Sequence, residues 1–230
     1  MKRLGLLGGM SWESTASYYG MINREVARRL GGLHSADLVL HSVDFAPLAA
    51  MQQAGDWDAI GQYLAAAARS LVAQGASAIV LCTNTMHKVA PQIEAAIDVP
   101  LLHIVEPTGR ALAAAGVERV GLLGTRFTLT GDFYIGKLER DHGVEVLVPD
   151  ADAIDVVNTI IFEELCVGIT RSSSRAYFID TVAELERRGA DAVILGCTEI
   201  GLLVSSSDLP VPAFDTTRLH AESAVQFALT

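Results

Sequence analysis

Three cysteines, at positions 82, 166 and 197, and the hydroxyl, amide and acidic residues beside two of them are the groups in this 230-residue chain best suited to chemistry. Cys82-Thr83-Asn84-Thr85 and Gly196-Cys197-Thr198-Glu199 each follow a short apolar run. A thiol titrates near pH 8.5, so a modest downward shift makes it a usable base. A threonine hydroxyl stays neutral and serves as a hydrogen-bond donor. Backbone N–H groups and hydroxyls where a strand gives way to a helix are what a substrate carboxylate binds. Asn84 and Thr85 in one segment, and Thr198 in the other, are the candidates. The same helix-terminus field is expected to lower the Cys197 pKa. Glu199 either receives a positively charged ligand group or is a first-turn acidic residue.

Both segments fall at corresponding places in an internal repeat. Arg3-Leu4-Gly5-Leu6-Leu7-Gly8 matches Arg119-Val120-Gly121-Leu122-Leu123-Gly124 at five of six positions. Further on, the Gly75–Thr83 segment matches Gly189–Cys197, with offsets of 116 and 114 residues. The alignment sets Thr83 against Cys197 and Cys82 against Gly196. In an open parallel sheet, ligands sit beyond the carboxyl ends of the strands. A ligand held in a cleft between matched loops would be approached from two sides by different groups. That geometry suits taking a proton off one face of a tetrahedral carbon and returning it on the other.

The elements that must position these loops follow from apolar periodicity. Strand-sized runs at 3–7, 37–42, 77–82, 101–104, 119–123, 145–148 and 192–195 alternate with helical segments at 11–30, 56–74, 152–168 and 173–188. Ser11 reads as a helix N-cap, and Gly31-Gly32 as the far end. Strands that are apolar throughout argue for parallel sheets covered by helices on both faces. The expected fold is α/β: two pseudo-symmetric Rossmann-like lobes at 1–112 and 113–230, the last helix packing back on the first lobe.

Composition narrows the partners. Half of the chain is apolar, and 17 Lys plus Arg against 27 Asp plus Glu give a formal charge of −10. With no basic run, a nucleic-acid backbone or an anionic membrane is not an expected partner. The apolar runs are too short for a transmembrane helix. An odd cysteine count in a chain of this size points to a reducing, cytoplasmic setting. The six histidines form no HExxH and no Cys-x-x-Cys accompanies them, so no metal is expected. Gly8-Gly9-Met10-Ser11 is not a dinucleotide fingerprint, although Met10 would line a small-ligand pocket through its main chain. Neither Lys88 nor Lys137 marks a pyridoxal phosphate site. No cofactor is expected.

Gly5-Leu6-Leu7-Gly8-Gly9-Met10-Ser11-Trp12-Glu13-Ser14-Thr15, Cys82-Thr83-Asn84-Thr85-Met86-His87 and Leu195-Gly196-Cys197-Thr198-Glu199-Ile200 together resemble the cofactor-independent Asp/Glu racemase superfamily, aspartate racemase branch. The resemblance spans essentially the whole chain. It implies an isomerase acting on a small amino acid, a homodimer, and two thiols, one per lobe, as proton acceptor and donor. This chain departs from that pattern at Thr83, which stands where the first thiol belongs. Cys82, one residue early, would point to the other strand face as a buried apolar-type cysteine.

The resulting expectation is one-sided catalysis: the Cys197 thiolate removes the α-proton, by analogy from the L-enantiomer, and Thr83 stands in for the second thiol. Gln52 and Glu164 occupy the places of the cationic residues that aspartate-specific relatives use for a side-chain carboxylate. Glu164 would repel a second carboxylate, which favours neutral or polar amino acids alongside Asp and Glu, unless Glu163 and Glu164 only form a solvated helix face. His87 has a functional role, tuning the loop or relaying a proton, or a structural one, capping or bonding a backbone carbonyl. Thr125 and Thr128 either touch ligand or cap a helix, and Cys166 reads as core. The competing functions are a single-thiol decarboxylase or isomerase of the same superfamily and a non-catalytic small-molecule binding module.

Overall fold

The computed structural model describes Met1–Thr230, in two compact units. The first comprises 1–103 with 220–230, and the second 104–219. In the first, β1 (Leu4–Gly8), α1 (Trp12–Leu30), β2 (Leu38–Ser42), α2 (Phe45–Ala54), α3 (Trp57–Ala73), β3 (Ala78–Leu81), a 3-10 turn (Thr85–Val89), α4 (Ala90–Glu94) and β4 (Leu101–Leu102) build a parallel sheet of order β2-β1-β3-β4. The second contains α5 (Val105–Ala114), β5 (Arg119–Leu123), α6 (Arg126–Thr130), α7 (Ile135–His142), β6 (Glu145–Leu147), α8 (Ala151–Glu163), a 3-10 turn (Leu165–Val167), α9 (Ser172–Arg187), β7 (Ala192–Leu195), α10 (Ile200–Leu203) and β8 (Ala213–Asp215). Its sheet has the equivalent order β6-β5-β7-β8, also parallel. Helix α11 (Thr216–Leu229) begins in the second unit and ends in the first.

The sequence repeat is a repeat of strand register. Leu4 pairs with Ala78 and Leu7 with Leu81; Val120 pairs with Ala192 and Leu123 with Leu195. Even the flanking ion pairs recur, Arg3 Nε–Asp37 at 2.8 Å and Arg119 Nε–Glu145 at 2.9 Å, although their exposure makes each worth little. The central strands are buried on both faces, as parallel strands between helical layers must be. Alternate residues divide between two clusters in each unit. Leu7, Ile79 and Leu81 pack with α3, while Leu4, Leu6, Val80 and Cys82 pack with α1 and with Ala221, Ala224 and Val225 of α11.

The division at 103/104 differs from the expected boundary at 112. Val105 and Leu112 of α5 share a core with Val120, Leu122 and Ile194, so this helix goes with the sheet that follows it. Burial of those side chains, about 1.5–3 kcal/mol each, outweighs chain proximity to β4. Helix α2, which apolar periodicity does not mark, starts at Asp44, whose side chain accepts from Ala46 N at 3.2 Å.

Local chemistry fixes the first loop of the site. Ser11 caps α1, accepting from Ser14 N at 3.3 Å, and Glu13 lies in its first turn. Gly9 N–H donates to Thr15 Oγ1 at 2.8 Å, and Val43 N–H donates to Gly8 O at 3.0 Å. Gly9 holds φ +95°, and a Cβ there would collide with the Val43 backbone. Gly9→Ala is therefore expected to cost roughly 2–4 kcal/mol, from strain plus overpacking. Urea denaturation measures this, and an unchanged midpoint would contradict the account of this loop.

Candidate active site

The matched loops emerge at the carboxyl ends of β3 and β7, held in equivalent ways. Cys82 N–H donates to Leu7 O at 2.9 Å, and Gly196 N–H donates to Leu123 O at 2.7 Å. The next residues are Thr83 and Cys197, in matched places, 7% exposed each. Cys82 is fully buried in the α1/α11 cluster, and burial pushes its thiol up, out of reach of ionisation. A fully buried apolar cysteine is what the strand alternation implied.

In the first unit, Met10, Gln52, Thr83, Asn84 and Thr85 are all buried polar or sulfur-bearing residues in loops and helices beyond the carboxyl ends of the strands. Met10 packs with Val43, Leu48, Leu81 and Met86. Gln52 is 3% exposed, and its Nε2 has no acceptor in the protein. A buried amide donor left unpaired costs about 1–3 kcal/mol unless a ligand supplies the acceptor. His87 Nδ1 donates to the Thr83 carbonyl at 2.8 Å, the second of the two roles considered for this residue. Behind it, His220 Nε2 donates to Leu102 O at 2.6 Å, which leaves Nδ1 to accept from the Tyr18 hydroxyl at 2.8 Å.

Burial lowers both imidazoles, His220 to about 4 and His87 well below its ordinary value, with neighbouring imidazoles adding to the effect. The folded protein thus binds these protons less tightly than the unfolded chain. Stability should be full above pH 6.5 and fall as pH drops towards 4, by on the order of 3 kcal/mol from His220 alone. Urea unfolding between pH 8 and 4.5 measures the slope; a flat profile would contradict neutral, buried imidazoles.

In the second unit, Cys197, Thr198 and Glu199 form one hydrogen-bonded group. Cys197 Sγ–H donates to Glu199 Oε2 at 2.9 Å, and Thr198 Oγ1–H donates to the same oxygen at 2.7 Å. Glu199 is 2% exposed and precedes the four-residue helix α10. Its Oε2 is the shared acceptor of the Cys197 and Thr198 donors. The expected lowering of the Cys197 pKa is overturned. Burial and the adjacent Glu199 carboxylate push this thiol well above its ordinary value, and a helix of one turn cannot offset them.

Cys166, on the turn after α8, is partly buried against the second-unit core, as expected, and hydrogen-bonds toward the same Glu199 carboxylate. Spacing gave no signal for this contact. Glu164 lies apart from the Cys197 group in its bonding: its Oε2 accepts from Ser174 Oγ at 2.6 Å, and Arg171 Nε lies 3.5 Å from Oε1. The repulsion expected of Glu164 is therefore answered by a cation that the sequence reading missed. Thr125 precedes α6 without a side-chain cap bond, and its hydroxyl lies 3.3 Å from that of Thr128.

Glu199→Gln is expected to lower the Cys197 pKa, because it removes the adjacent negative charge and leaves burial and the neighbouring Cys166 to raise it. Alkylation of Cys197 by iodoacetamide at pH 7, located by peptide mass, should then be faster than in the unaltered protein. Equal or slower alkylation would contradict the electrostatic coupling.

The chain belongs to the Asp/Glu/hydantoin racemases, whose family model matches residues 7–224. It is similar over 100% of both chains to a structure from Yersinia pestis provisionally assigned as an Asp/Glu racemase, with 51% identity and a TM-score of 0.92. It is 25% identical over 227 residues to the broad specificity amino-acid racemase RacX of Bacillus subtilis, covering 96% of each. It is also 33% identical over 188 residues to the glutamate racemase of Corynebacterium kroppenstedtii, covering 76% of this chain and 62% of that enzyme. The chain spans between half and two thirds of the length of the first curated glutamate racemases it matches. No helix is long and apolar enough to cross a membrane.

Proposed function

We propose that this chain is a cofactor-independent amino-acid racemase or epimerase that moves the α-proton, with Cys197 as the sulfur base and Thr83 in the place of a second proton carrier. The observation that carries the reading is the Cys197 Sγ–Glu199 Oε2 hydrogen bond of 2.9 Å inside a buried site. A thiol held well above its ordinary pKa is a poor base while protonated. A carboxylate in contact with it can take its proton when substrate arrives, leaving a thiolate against the α-carbon. The developing negative charge spreads onto the substrate carboxylate, for which Asn84, Thr85 and Thr198 provide donors.

The two proton carriers are chemically unequal. Cys197 has a carboxylate to receive its proton, whereas His87 grips the backbone of Thr83 rather than its hydroxyl. A neutral hydroxyl can surrender a proton to a carbanion and recover it from water, but it cannot remove an α-proton unaided. The reaction is accordingly one-sided, starting from the L-amino acid. Gln52, with its unpaired buried Nε2, binds an acceptor on the substrate side chain. Arg171 beside Glu164 tempers the charge there, so Asp and Glu as well as neutral polar amino acids are substrates. The working form is a cytoplasmic homodimer without metal or cofactor.

A panel of L- and D-amino acids in heavy water, without added cofactor, tests the reading. α-Deuterium should enter from the L-substrate and D-product should accumulate, while D-substrates exchange slowly. Cys197→Ser should lower exchange by roughly 10²–10⁴-fold. Thr83→Cys should raise exchange from D-substrates. Equal wash-in from both enantiomers of the unaltered protein refutes one-sidedness, and tight binding without any exchange makes the chain a binding module. Exchange without D-product would leave a single-thiol reaction of another kind.

A further inference from the structure

The loop carrying Thr83 rests on a buried polar column absent from the matching loop. His87 is 1% exposed, and its Nδ1 donates to Thr83 O at 2.8 Å while its own N–H donates to Asn84 O at 3.1 Å. Because a carbonyl can only accept, the His87 tautomer is fixed with the proton on Nδ1. The ring is braced by His103, centroids 4.6 Å apart, and by the edge of His220, 5.9 Å away. His220 is itself pinned between Leu102 O and the Tyr18 hydroxyl. The repeat places Gly201 where His87 stands, so the Cys197 loop has no such imidazole. There, the matched residue after two steps is Glu199, which bonds the thiol itself.

We infer that His87 is a positioning residue for Thr83: an imidazole braced by His103, His220 and Tyr18 fixes the Thr83 carbonyl and so aims its hydroxyl at the carbanion. The inference rests on the racemase reading above and adds the device by which the weaker proton carrier works. A hydroxyl has no charge with which to orient itself, and a 1 Å displacement of a reacting group can cost about a hundredfold. Cys197, on the other unit, carries its own base and does not need His87.

The two half-reactions separate in one experiment on the full-length protein in heavy water. Deuterium entering recovered L-substrate reports abstraction and return by Cys197; D-product reports delivery from the Thr83 side. His87→Gln, which lacks a donor at the Nδ1 place, should lower D-product formation about 10- to 100-fold. Exchange into L-substrate should stay within about twofold. His87→Asn, whose side-chain amide can occupy the Nδ1 place, should recover most of the D-product rate. Tyr18→Phe removes only the hydroxyl at the far end of the column and should give the same split at smaller amplitude, so the inference remains testable if His87→Gln fails to fold. A parallel fall of both signals in His87→Gln, no advantage of Asn over Gln, or no split in Tyr18→Phe overturns the inference while leaving the racemase reading intact. Absence of exchange in the unaltered protein instead overturns that reading, and this inference with it.

Discussion

Leu7 against Leu81 and Leu123 against Leu195 are the pairings from which the candidate site follows. Each lies at the carboxyl end of a parallel pair buried between two helical layers. A slip of one residue would send Ile79 and Leu81 from the α3 cluster into the α1/α11 cluster, and both faces are filled, so register is strictly specified. The residue two places beyond Leu81 is then Thr83, and two beyond Leu195 is Cys197. The first-unit helices that follow β1 and β2 start at the side-chain caps Ser11, Asp44 and Asp56.

On this repeated frame the chemistry is not repeated. Buried polar groups must find partners, and the two units meet that demand differently. In one, a carboxylate accepts from a thiol and a neighbouring hydroxyl, so the thiol proton has somewhere to go. In the other, an imidazole donates to a backbone carbonyl and leaves the hydroxyl uncharged. In the proposed function the first arrangement serves proton removal and the second proton delivery. The difference between Glu199 and Thr85, and between Gly201 and His87, is what makes the proposed reaction directional on a repeated frame.

The local environment also decides how the acid–base groups behave. A cysteine at the start of a helix is a common route to a low pKa, but α10 is a single turn and Cys197 is buried beside a carboxylate. Desolvation and a like charge dominate, both of which favour the neutral thiol. The same physics keeps His87 and His220 neutral and Cys82 inert.

Much of this was legible along the chain. The repeat, the apolar strands, the Ser11 cap and the face assigned to Cys82 depend on neighbours in sequence, and local periodicity records them. The family resemblance was equally readable, because Asn84-Thr85 and Gly196-Cys197-Thr198-Glu199 are contiguous. What periodicity could not show was which side chains from distant segments converge. Helix α5 joins the second core because Val105 and Leu112 meet Val120 and Ile194 there. Cys166 reaches Glu199, Arg171 reaches Glu164, and Tyr18 reaches His220 only after packing brings their elements together. Local order along the chain sets the frame and names the candidate residues; their surroundings arise only on packing, since burial and charge at a site are sums over neighbours that the order of residues does not list.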